Sequence, residues 1–105
     1  MDEATIRGNL VMLRNAVTEV WSMMQYDLRR RQTIADIREQ AERLERVPGL
    51  QQIAELAWSC ADYNLSWTED DYTDLLRRIA RRILTADEEM EFQQREVDEK
   101  EDEAE

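Results

Sequence analysis

The sequence predicts an all-α protein: a small antiparallel bundle of about four helices, opened by a long first helix and closed by an acidic C-terminal tail. Three observations predict it. Two glycines and one proline in 105 residues leave too little turn chemistry for a many-stranded sheet. Glu, Arg, Ala, Leu, Gln and Met, all good helix formers, are plentiful. Apolar residues recur at three- and four-residue spacing along much of the chain.

The first helix is expected from Asp2 or Glu3, where acids suit the positive end of the helix dipole. Ile6, Leu10, Leu13, Val17, Val20 and Met24 form a heptad seam of the kind that pairs helices in coiled coils, and this is the expected oligomer seam. Trp21, Met23 and Leu28 widen the apolar arc, which favours a bundle over a bare two-stranded coil. Val11 and Met12 point away from the arc and are candidate partner-binding residues.

A second stripe, Ile34, Ile37, Ala41 and Leu44, is out of phase with the first. The phase shift predicts a break near Arg29 to Gln32, with Thr33 capping the next helix, against the alternative of one long helix whose buried face rotates. Glu39 with Arg43 and Glu42 with Arg46 stand in the favourable i,i+4 order. Pro48-Gly49 predicts a sharp turn. Leu50, Ile53, Ala54, Ala57, Cys60 and Ala61 then give a third helix with a narrow face of mostly small residues, closed by Asn64.

Ser66-Trp67-Thr68-Glu69 has the form of a capping box, with Asp70 and Asp71 reinforcing the start of a fourth helix. Tyr72, Leu75, Leu76, Ile79, Ala80 and Ile83 follow at helical spacing, and the helix is expected to end near Leu84. Thr85-Ala86-Asp87-Glu88 repeats the box and could extend a polar helix to about Glu99.

Charge divides the chain into a bundle, residues 1–86, and a tail, residues 87–105. The tail holds eleven acids against Arg95 and Lys100, a net −9 of the chain's −11. The absence of histidine removes Ser-His-Asp, Cys-His and Glu-x-x-His chemistry. No Gly-rich phosphate loop and no Cys pair for zinc occur. Cys60 is expected to be an inert buried hydrophobe, and Glu69, Asp70, Asp71 and Asp74 to serve a helix start rather than a metal. No catalytic residue, cofactor or metal is therefore expected. A lone cysteine and no apolar run of roughly 20 residues point to a cytoplasmic protein that does not enter membranes.

Arg29, Arg30 and Arg31 form one basic cluster, and Arg77, Arg78, Arg81 and Arg82 another; together they are the possible phosphate contacts. Residues 50–84 have the outline of a helix-turn-helix, but the link lacks its usual glycine and the next helix opens with acids that would face phosphate. Trp67, in the short link, either plugs the bundle end or meets a partner.

These features predict a non-enzymatic helical interaction module, an adaptor, inhibitor or assembly factor of phage-like or plasmid-like size. Its expected partner is a protein, one version having a basic surface that the acidic tail engages, and a homo-oligomer is expected. The alternative is a DNA-binding regulator that uses the two Arg clusters, with the tail as an intramolecular phosphate mimic.

Overall fold

Asp2 starts the first helix: its carboxylate accepts a hydrogen bond from the Thr5 amide at 2.8 Å, which satisfies one of the free donors of the first turn. The computed structural model describes residues 2–85, and it is all-α, with no strand among those residues. Helix α1 is Glu3–Ser22, α2 is Arg30–Leu44 and α3 is Gln51–Tyr63. A 3-10 turn, Asn64–Ser66, leads to α4, which is helical from residue 69 to 85. No helix among the described residues is long and apolar enough to cross a membrane. The tail, 87–105, and its expected helix to about Glu99 lie outside the described residues.

The heptad spacing of α1 places Ile6, Leu10, Leu13, Val17 and Val20 in the protein's own core. There they meet Ile37, Ala41 and Leu44 of α2, the small face of α3, and Tyr72, Leu75, Ile79 and Ile83 of α4. The seam is thus occupied within one chain, and its last member departs from the pattern. Met24 lies beyond the end of α1 and is exposed. Leu28, expected in the apolar arc, is exposed as well, and Ala80 of α4 faces outward.

Polar contacts pair residues late in α2 with residues early in α1. Arg43 donates to Asn9 at 3.5 Å, and Gln40 approaches the Met12 sulfur at 4.0 Å. From α2 to α3, Arg38 holds Asp62 at 3.0 Å. The Trp58 indole donates to Glu45 at 2.9 Å. From α1 to α4, Glu3 receives Arg82 at 2.6 Å, and Trp21 stacks on Tyr72 with 5.3 Å between ring centroids. The in-helix pairs Glu39 with Arg43 (2.7 Å) and Glu42 with Arg46 (3.5 Å) form as the spacing predicts.

Two boundaries differ from expectation for identifiable reasons. The chain does break between the first and second stripes, but at 23–29, earlier than residues 29–32. The device is Asp27, whose carboxylate accepts from the Arg29 amide at 2.8 Å, the side-chain turn of an aspartate two residues before its donor. Thr33 is consequently inside α2, buried, with its hydroxyl donating to the Arg29 carbonyl at 3.0 Å. At the start of α4 the capping box is displaced by two residues. Thr68 caps Asp71 at 3.3 Å while Asp71 accepts from the Thr68 amide at 2.8 Å. Ser66 instead turns its hydroxyl back to the Tyr63 carbonyl. Thr85 is still helical, its hydroxyl donating to Arg81, so α4 runs past Leu84. The Pro48-Gly49 turn forms as expected, with Gly49 at φ +87°, a region a side chain enters at a cost.

Candidate functional site

The end of the molecule where α1 passes to α2 and α3 passes to α4 is fastened by one side chain. Arg30, the first residue of α2, is half-buried there. Its guanidinium donates to the Val20 carbonyl at 3.3 Å, to the Met23 carbonyl at 3.4 Å and to Asn64 Oδ1. The two carbonyls stand at the C-terminal end of α1, that of Met23 one residue past its last, where a cation complements the negative helix end. Asn64 is buried and further tied by its own donation to the Ala61 carbonyl at 3.1 Å, and its backbone carbonyl accepts from the Tyr72 hydroxyl at 3.3 Å. One guanidinium therefore links the α1 terminus, the α2 start and the 64–66 turn, and Tyr72 adds α4.

On this hydrogen-bonded base the two turns and the end of α3 carry apolar side chains outward. Met24 is 83% exposed, Tyr26 87%, Leu28 96%, Tyr63 65% and Leu65 69%. Single exposed apolar residues are ordinary; five within two short adjoining segments are not. Tyr26, Tyr63 and Leu65 line an open cleft of about 590 Å³ whose walls also include Arg30, Arg31, Ile34 and Arg38. Met24 borders a neighbouring recess with Asp27 and Arg29. Asp27 with Arg29 (2.9 Å) and Asp62 with Arg38 (3.0 Å) are ion-paired at the rim. The Arg29 hydrogen bonds hold the Asp27 carboxyl down to about 2.

The residues singled out from sequence are distributed as follows. Val11 is half-buried and packs against the core, so it offers little to a partner, whereas Met12 is exposed beside Gln40. Trp67 packs on the core, its ring edge meeting Tyr72 at 5.1 Å and its indole N–H donating to Ser59 at 3.3 Å. That is the plug arrangement.

The arginines do not converge. Arg29, Arg30 and Arg31 sit by the end of α1, while Arg82 grips Glu3 at its beginning, and the 20-residue helix between them is about 30 Å long. Arg29 is paired with Asp27, Arg30 is spent on the clamp, and Arg78 is paired with Asp74 at 3.2 Å. Arg31, Arg77 and Arg81 are exposed. Asp71 is occupied in the cap and Asp74 in its ion pair, which accounts structurally for two of the four acids at the start of α4.

Cys60 is buried, and burial pushes its thiol up to about 12, leaving no thiolate for nucleophilic work.

As large aromatics Tyr26 and Tyr63 read from sequence as core anchors, and Met24 and Leu28 as members of the buried apolar arc, whereas all four are exposed; Leu65 carries no signal of its own. Asp27 could have corrected this, since an aspartate with turn chemistry after Met24 ends the first seam before Leu28. The chain gives no significant match to any protein-family model, curated protein or solved structure.

Proposed function

We propose that the chain is a non-enzymatic protein–protein interaction module: an antiparallel helical bundle, residues 1–86, that docks protein through the apolar end built by residues 23–28 and 63–65, with the acidic tail as a second, charge-based contact. The observation that carries the reading is the group of five exposed large apolar side chains on a base locked by Arg30. Tyr, Met and Leu held out into water cost solvation that only a covering surface recovers, and aromatic and Met side chains are enriched in such interfaces. A cleft open at one side and walled by Tyr and Arg suits a protein segment better than a small molecule, which is ordinarily enclosed.

The test is photo-crosslinking in the native cell from a benzophenone side chain placed at Leu28, with the same group at exposed Gln52 of α3 as control. The reading requires protein adducts from position 28 in excess over position 52. Equal or absent adducts at both positions would overturn it.

A further inference from the structure

We infer that the partner docking on this apolar end is a second copy of the same chain, joined end to end across residues 23–28 and 63–65. The inference rests on the reading of that end as a docking surface and names its occupant.

The five large apolar residues at 65 to 96% exposure present on the order of 800 Å² in all, the most that one contact could cover, with Tyr26, Tyr63 and Leu65 on a single cleft. That is about what each partner contributes to a stable interface of standard size. A two-fold axis sets a patch against itself, so the patch must suit its own copy in shape and charge. Flexible Met24, Leu28 and Leu65 beside flat Tyr26 and Tyr63 can interdigitate with their own kind. At the rim Asp27 is paired with Arg29 and Asp62 with Arg38 within each chain, which leaves exposed Arg31 as the charge that two such rims bring together.

A net −11 opposes self-association over most of the surface, and −9 of it follows Ala86. Arg82 holds the far part of α4 against Glu3, so the chain leaves the described region at the end of α1 opposite the patch. Contact at the patch therefore sets each exit point about 30 Å from the interface, several Debye lengths away at physiological salt. Among the described residues, no other end of the bundle combines an apolar patch with that separation.

The experiment is sedimentation velocity on the full chain from 1 to 200 μM in 0.05 and 0.5 M NaCl, with Leu28→Asp and Tyr26→Ser alongside. Both sites are exposed, so the fold of the variants is expected to hold, and circular dichroism checks it. The expected result is a monomer–dimer equilibrium that is unweakened or strengthened at the higher salt, since screening relieves like charge. Each substitution should weaken it at least tenfold. A monomer throughout, or a dimer indifferent to both substitutions, overturns the inference. The Leu28 crosslinking experiment separates the two levels: an adduct of twice the chain mass supports the second copy, an adduct with a different protein alone overturns it while leaving the docking surface standing, and no adduct overturns both.

Discussion

Arg30 and Asn64, 34 positions apart, are joined by a hydrogen bond at the apolar end of the molecule, and Arg30 Nη1 also donates to the Val20 and Met23 carbonyls at the end of α1. The side chain thus acts as a helix cap for one element and a strut between two others.

Replacing Arg30 by Met keeps much of the stem's packing and removes all three bonds. Bonds from a charged donor are each worth about 1.5–3 kcal/mol, and their sharing of one group makes the total less than additive. We expect Arg30→Met to lower unfolding free energy by about 2–3 kcal/mol in denaturant titrations. Asn64→Ala should cost less in this background than in the parent, the remainder being its bond to the Ala61 carbonyl, because the pair is already broken. Full additivity of the two substitutions would show that the bond does not form in solution.

Leu13 is fully buried at the middle of the α1 seam. Leu13→Ala should cost about 2–5 kcal/mol. Because this residue packs within its own chain, the loss should be the same at 2 and 100 μM protein. A loss that diminishes as protein concentration rises would place the seam between chains instead.

The carboxyl of Asp27 is held near 2 by Arg29, below its ordinary 3.8, so its contribution to stability is complete above pH 4 and declines as pH falls toward 2. Glu3 is shifted in the same direction by Arg82. Asp27→Asn should therefore be less stable than the parent at pH 7, with the difference narrowing below pH 4. A difference that is flat across this range would mean that the Asp27 turn does not form.

Cys60 should resist thiol reagents in the folded protein at pH 8, since it is buried and its thiol stays protonated well above that pH. Labelling should follow the opening of the bundle and accelerate with denaturant. Immediate stoichiometric labelling of the native protein would contradict the packing of the small face of α3.

What could be read from sequence follows the physics of each signal. The stripes of α1, α2 and α3 were legible because burial repeats with the helix period, and every residue of the Leu50 to Ala61 stripe is buried. Pro48-Gly49 was legible because proline and glycine act on the backbone directly. The 23–29 link was misplaced because its turn depends on a side chain, Asp27, that also suits a helix surface. The exposed apolar end was illegible for a related reason: Leu28 continues an apolar pattern, and only the end of α1 at Ser22 turns it outward. Arg30 read as one of three like charges, and nothing local distinguishes a clamp reaching Asn64 from its exposed neighbours Arg29 and Arg31.

As proposed, the apolar end serves contact with protein and not the fold. Leu28→Ser separates the two when both are measured in one preparation, by thermal unfolding at low concentration and by association at high concentration. An exposed leucine supports little of the fold, so unfolding free energy should stay within about 0.5 kcal/mol of the parent while association is lost. A variant destabilised by about 2 kcal/mol or more, with association intact, would contradict the claim and make Leu28 a structural residue.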